Sequence, residues 1–323
     1  MKRGSTVLIF FLLAFFNSFA THNRAGEIRY RVLSYLTFQV TIITYTKASS
    51  TQADRDTLTL DWGDGTFEKV LRSNGPVGAN GVPQGVILPG NHDIKYNEYA
   101  SAPHTYAGPL PFYIISVTDP NRIADIININ GGASVNIQFY IEDTLRIFNP
   151  TFVGLNNSPI LLYPPIDFAC VNDTFFHNPT AFDPDGDSLS YQLVEPLWQQ
   201  GFPVPNYQYP DEIAPGINNQ FTINAVTGEI IWATPQRKGT YNIAILITEY
   251  RNSIPIGTVL RDMQIIVEDC ANDPPQISEF NDTCVVAGTL LTRTVRANDR
   301  NQNQSVTLSA EGGPLRLSIK PAT

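Results

Sequence analysis

Basic clusters, helix-favouring stretches and cysteines are what this 323-residue chain has least of. Lys and Arg number 21 against 30 Asp and Glu, a formal charge of −9 with no run of positive residues. That balance excludes the electrostatic footprint of a nucleic-acid binder and of a protein held on an anionic membrane surface. Ala-, Leu-, Glu- or Lys-rich stretches are scarce, so few long helices are expected. No nucleophile elbow, phosphate-binding glycine loop or zinc-ligand spacing occurs, and the four histidines stand apart from one another. His104 fits a structural turn, while His22 and His177 are expected on the surface.

The start of the chain differs from the rest. Lys2 and Arg3 precede an apolar run from Val7 to Phe16, then Ser18-Phe19-Ala20 supplies small cleavage residues. This is the pattern of a secretory signal over residues 1–20, too short for the ~20 residues that span a bilayer. Its removal takes two positive charges, from −9 to −11. No later run is long enough to span, so the expected location is extracellular, secreted or at the cell surface. Its three cysteines, Cys170, Cys270 and Cys284, then sit in an oxidising setting.

After the signal the pattern is one of strands and turns. Phe38–Tyr45, Thr57–Trp62, Phe112–Asp119 and Val135–Ile147 carry β-branched and aromatic residues. The stretch Ser73–Pro89, rich in Gly, Asn and Pro, reads as a loop. Pro159, Pro164 and Pro165 mark a linker. Beyond it come Leu189–Val194, a Pro-rich loop from Pro196 to Pro215, Phe221–Ile223, Gly228–Trp232, and two long strands, Thr240–Tyr250 and Gly257–Val267. The expected fold class is all-β, a tandem of immunoglobulin-like β-sandwiches over 21–150 and 151–270. The start of a further, truncated repeat is expected over 271–323.

Three carboxylates, Asp183, Asp185 and Asp187, flank Gly186 just before the strand Leu189–Val194. Carboxylates at i, i+2 and i+4 repel, and a hard oxygen-seeking cation such as calcium relieves that repulsion. The same residues also read as a solvated Asp-Gly turn. An internal repeat bears on the choice: Pro164-Pro165, Cys170 and Ala181-x-Asp183-x-Asp185-x-Asp187 recur as Pro274-Pro275, Cys284 and Ala297-x-Asp299-x-Asn301-x-Asn303. In the repeat frame Cys170 opens the second unit and Cys270 closes its last strand, so a Cys170–Cys270 disulfide is expected. Cys270 with Cys284 is the competing pair.

Two motif sets carry family resemblances. Asp61-Trp62-Gly63-Asp64-Gly65-Thr66, then His104-Thr105-Tyr106 and a strand ending Val117-Thr118-Asp119, resemble the PKD domain. That resemblance implies a core tryptophan, a Gly-Asp-Gly turn between two strands, and no chemistry. The frame Phe221–Ile230, Thr234-Pro235 and Gly239-Thr240-Tyr241, with the acidic stretch before Leu189, looks like the bacterial cadherin-like repeat. Glu268-Asp269-Cys270-Ala271-Asn272-Asp273-Pro274-Pro275 is similar to the calcium-binding linker of cadherins, with one residue inserted. On that analogy Asp269, Asn272 and Asp273 meet Asp299, Asn301 and Asn303, and Asn156 and Asn157 face Asp183, Asp185 and Asp187.

Gly63-Asp64 followed by Gly90-Asn91-His92-Asp93 resembles the order seen in metallophosphoesterases. The chain has Phe67 where that family has an acid, and it lacks the other histidine motifs, so His92 reads as a loop residue. Trp198, Phe202, Tyr207 and Tyr209 lie in the Pro-rich loop, able to stack on sugars or to pack the loop down. Taken together the motifs resemble PKD-containing surface proteins of gliding Bacteroidetes. They imply a non-enzymatic adhesion or stalk protein, stiffened by calcium, that meets an extracellular protein or polysaccharide. A carbohydrate-binding accessory region of a secreted hydrolase is the alternative.

Overall fold

The computed structural model describes residues 22–90, 92–120, 122–270, 275–278, 283–286, 288–299 and 306–308. The expected signal segment, Asn272, Asp273, Asn301 and Asn303 lie outside the described residues. Among the described residues no helix is long and apolar enough to cross a membrane.

Strands dominate. In the first part they are β1 (Asn23–Ser34), β2 (Thr37–Lys47), β3 (Thr57–Asp61), β4 (Phe67–Leu71), β5 (Val86–Ile87), β6 (Ile94–Ala100), β7 (His104–Thr105), β8 (Tyr113–Asp119) and β9 (Phe139–Leu145). The last strand starts four residues later than Val135, because residues 134–136 close into a short 3-10 turn. Two layers, β4-β3-β8-β9 and β1-β2-β6-β5, enclose a core of Ile28, Tyr30, Phe38, Val40, Ile42, Leu60, Trp62, Tyr106, Ile115, Phe139, Ile141 and Leu145. Alternate residues of β1, β2, β8 and β9 supply it, as period-2 strands require.

Trp62 is buried beneath a tight turn whose glycines, Gly63 and Gly65, both have positive φ. A side chain at Gly63 would lie 2.5 Å from the Ile114 carbonyl oxygen, so no larger residue fits. His104 stacks on Trp62 at 4.3 Å and Tyr106 donates its hydroxyl to the Trp62 carbonyl oxygen at 2.9 Å.

The second part contributes β10 (Ile160–Leu161), β11 (Ile166–Cys170), β12 (Phe175–His177), β13 (Ala181–Phe182), β14 (Ser188–Val194), β15 (Leu197–Gln199), β16 (Phe202–Pro203), β17 (Phe221–Ile223), β18 (Ile230–Trp232), β19 (Gly239–Arg251) and β20 (Ile254–Glu268). Sheet β14-β19-β20-β11 faces the small sheet β12-β18-β17 across a core centred on Trp232, Tyr241, Ile243, Ile245, Ile247, Met263 and Ile265. Both halves thus fit the expected all-β, immunoglobulin-like sandwich architecture. Outside them, β21 (Gln276–Ile277) pairs with β22 (Ala297–Asn298).

One strand joins the halves. β19 pairs along nearly the whole of β20. The other edge of β20 is shared in sequence by β9 at Gly257–Val259, by β1 at Asp262, and by β11, in parallel, at Gln264–Glu268. Both layers of the first sandwich therefore hydrogen-bond to a strand of the second. Consecutive residues of β20 add two buried ion pairs at this seam. Asp262 accepts from Arg122 Nη2 at 2.7 Å and Nη1 at 3.2 Å, and from Asn242 Nδ2 at 2.6 Å. Arg261 donates Nε to Glu27 at 2.5 Å and Nη1 to the Tyr163 carbonyl oxygen at 2.6 Å.

The parallel run of β11 beside β20 brings Cys170 level with Glu268, and a disulfide joins Cys170 to Cys270 with 5.4 Å between their Cα atoms. Cys284 is free and exposed.

Removing one partner of a buried pair strands the other charge. Arg122→Ala is expected to lower unfolding stability by about 3–5 kcal/mol in urea titration, while the double change Arg122→Met with Asp262→Leu costs much less.

Candidate functional site

The acidic loop forms as its residue types dictate. Pro184 and Gly186, at φ +81°, shape the turn, and Asp183 Oδ1 accepts the backbone N–H groups of Asp185 at 2.9 Å and Asp187 at 3.0 Å. β14 then pairs with β19, setting Ser188 opposite Tyr250 and Leu189 opposite Glu249. Beyond Arg251, Asn252 and Ser253 both take positive φ and make the two-residue turn into β20. That register places Glu249 and Arg251 beside the loop.

Arg251 reads the loop as a fork. Its Nε reaches Asp187 Oδ1 at 2.8 Å and its Nη2 reaches Asp187 Oδ2 at 2.5 Å, with Asp185 Oδ2 3.8 Å away. The same guanidinium donates to the carbonyl oxygens of Val153 at 2.8 Å and Leu155 at 2.9 Å, and to Asn156 Oδ1 at 3.1 Å. Asn157 donates its backbone N–H to Asp185 Oδ2 at 2.7 Å and its side-chain amide to Oδ1 at 3.1 Å. Both asparagines thus face the acidic loop, Asn157 directly and Asn156 through Arg251. Their segment is also sewn to the first sandwich: Val32 N–H donates to Asn157 Oδ1 at 3.0 Å and Tyr30 N–H to Ser158 Oγ at 2.8 Å.

One ligand oxygen each from Asp183, Asp185 and Asp187 lies within 4.8 Å of the others. Such spacing suits calcium, whose oxygen ligands stand 2.3–2.6 Å from the ion. Asp183 Oδ2 is buried and has no hydrogen-bond partner among the described residues, and burial raises the Asp183 carboxyl despite the two backbone donors. Asp185 and Asp187, although engaged, keep further lone pairs. The three carboxylates are of the type and spacing that could hold a hard cation.

Asp269 lies apart, exposed and paired with Lys238. Asp299 is partly buried beside β22, and neither residue belongs to the 183–187 group.

Several residues of this junction escaped the sequence reading. Asn156 Nδ2 donates to Glu249 Oε2 at 2.7 Å and to the Tyr30 hydroxyl at 2.9 Å. Glu249 is fully buried, its Oε1 unpartnered, and burial pushes it up to about 8. Gly257 makes room: a Cβ there would stand 2.5 Å from Glu249 Oε1. Asp143, also fully buried, has both oxygens unpartnered and is raised by burial and by the nearby Glu249. The signal was present in alternation, since Asp143 occupies the core position of Phe139-Ile141-Asp143-Leu145 and Glu249 that of Ile245-Ile247-Glu249.

Two histidine expectations are corrected. His22 and His177 are buried, not exposed. His177 sits on a paired strand with Nδ1 2.9 Å from Asp167, and burial lowers His22 to about 4. His92 lies exposed in a loop, its ring against Phe168. The Pro-rich loop folds down: Trp198 and Tyr207 pack against Ile123, Ile126 and Val204, and the Tyr207 hydroxyl donates to the Asn242 carbonyl oxygen at 3.1 Å.

No family model and no curated protein matches this chain. Among solved structures it is similar to the tandem Ig repeats of Dlar, at 9% identity over 76% of this chain and 100% of that one, with a TM-score of 0.23. The all-β assignment rests on the strands themselves.

Glu249 has a testable pH signature. Its folded value, about 8, stands above the 4.5 of a free glutamate, so between these values the folded state holds a proton that the unfolded chain has lost. Stability from this group therefore falls as pH rises from 4.5 to 8 and levels off above. Glu249→Gln is expected to flatten that fall and to be the more stable form at pH 8, by on the order of a few kcal/mol in urea unfolding.

Proposed function

We propose that this chain is an exported, non-enzymatic adhesion or stalk protein of tandem immunoglobulin-like sandwiches, with calcium stiffening the junction between them. The first unit (21–150) is PKD-like, the second (151–270) cadherin-like, and residues 271–323 begin another repeat. The signal over 1–20 directs export, and the resemblance to surface proteins of gliding Bacteroidetes supplies the setting.

One observation carries the proposal. β20 is hydrogen-bonded to both layers of the first sandwich and to the second, so the halves form a stiff, continuous unit suited to holding a binding surface away from a cell. The acidic loop lies where the linker 156–158 leaves that unit. A cation there neutralises carboxylates that Arg251 balances in part, and so tightens the same joint.

Calcium titrated into the chelator-treated protein should raise its melting temperature, and Asp185→Asn should abolish that increment while leaving the calcium-free melting temperature nearly unchanged. A melting temperature indifferent to calcium contradicts the calcium part of the proposal.

A further inference from the structure

The outer face of β1-β2-β6 is unusual for what covers it. Register places Arg31 opposite Gln39, Arg29 opposite Thr41, which in turn faces Ala100, and Glu27 opposite Ile43, which in turn faces Glu98. Tyr45 stands opposite Tyr96 in the next row. The alternate residues of these strands, Ile28, Tyr30, Val40 and Ile42, face the core. Segment 157–164 crosses this outer face without filling it.

Two cavities remain, both bounded by Arg29 and Ile160, and they read as one groove. The larger, of about 380 Å³, is lined by Arg29, Arg31, Gln39, Thr41, Asn157 and Ser158, with Pro184 of the acidic loop at its lip and no carboxylate in its wall. The smaller, of about 220 Å³, has Glu27, Glu98, Arg261 and the tyrosines 45, 96 and 163. The larger volume lies in the range of small-ligand sites, and the smaller falls below it.

We propose that this groove binds an acidic saccharide, its carboxylate on Arg31 and its ring hydroxyls on the surrounding amides, hydroxyls and charge pairs. Arg31 donates Nε to Gln39 at 2.9 Å, and among the described residues no carboxylate pairs with it. An exposed guanidinium without an acid suits bidentate capture of a carboxylate. Arg29 is turned toward Glu98, 3.5 Å away, while Tyr45, its ring tilted against Tyr96 at 5.3 Å, is buried with Ile43 and Ile94 and forms the floor of the smaller cavity. A peptide strand fits less well, because the edge of β1 beside the larger cavity is taken up by the linker: Ser158 Oγ accepts the Tyr30 N–H and Asn157 Oδ1 accepts the Val32 N–H. The groove identifies the partner class of the proposed adhesion protein and rests on that reading.

The probe is a short oligogalacturonate, titrated calorimetrically into the full chain in calcium-free buffer, because polyuronates bind calcium themselves. Saturable binding is expected, with a neutral galacto-oligosaccharide of equal length at least about tenfold weaker. Arg31→Ala should weaken binding about tenfold or more with an unchanged melting temperature, and Arg31→Lys should restore part of it. Absence of binding, equal binding by Arg31→Ala, equal binding of the neutral sugar, or tighter binding of an acidic peptide overturns the proposal. Any of these leaves the calcium titration, which reads the carboxylates of Asp183, Asp185 and Asp187, to stand or fall by itself.

Discussion

The structure depends on satisfying both edges of β20. A buried strand edge leaves a row of polar backbone groups unpaired, at a cost comparable to lost hydrogen bonds. β19 meets that demand along one edge, but the other is met in pieces by β9, β1 and β11. No piece is long enough alone. The first sandwich therefore needs the second to close its open end, and the second needs the first to cover its longest strand. Arg261 and Asp262, adjacent and so pointing to opposite faces, carry this dependence into side chains through Glu27 and Arg122. Both pairs are buried at the seam, so removing one member alone leaves a buried charge without its counter-ion.

Around that seam the electrostatics follow one logic. Carboxylates from three elements gather near the linker: the 183–187 loop, Glu249 and Asp143. Arg251 meets the first group, Asn156 spans from Arg251 to Glu249 and Tyr30, and Asn157 fixes Asp185. Among the described residues the two innermost acids have no cationic partner, and burial shifts both upward toward the neutral form. The acidic loop's remaining negative charge is what a cation would meet, while the arginine-lined groove beside it has the opposite character. Pro184 and Asn157 belong to both places.

Much of this was legible in the sequence where the determinants are local. Period-2 alternation located the strands, the resemblance to the PKD domain implied a core tryptophan beside a Gly-Asp-Gly turn, and the proline-flanked repeat placed Cys170 and Cys270 at the two ends of a unit that the parallel β11 brings together. Even the meeting of Asn157 with Asp185 followed from the linker analogy. What escaped was long-range. A strand paired on one edge has the same alternation as one paired on both, so Gly257–Glu268 could not announce its second set of partners. Arg251 follows the expected strand Thr240–Tyr250, and its role depends on β14 lying beside β19. His22 and His177 were assigned to the surface because isolated polar residues usually lie there, yet each sits on or against a strand that tertiary packing covers.

The central claim is that the two sandwiches fold as one unit through β20. Differential scanning calorimetry of the disulfide-intact protein tests it most directly. The account predicts a single transition spanning both sandwiches, with van't Hoff and calorimetric enthalpies equal. Two resolved transitions, one for each sandwich, would contradict it.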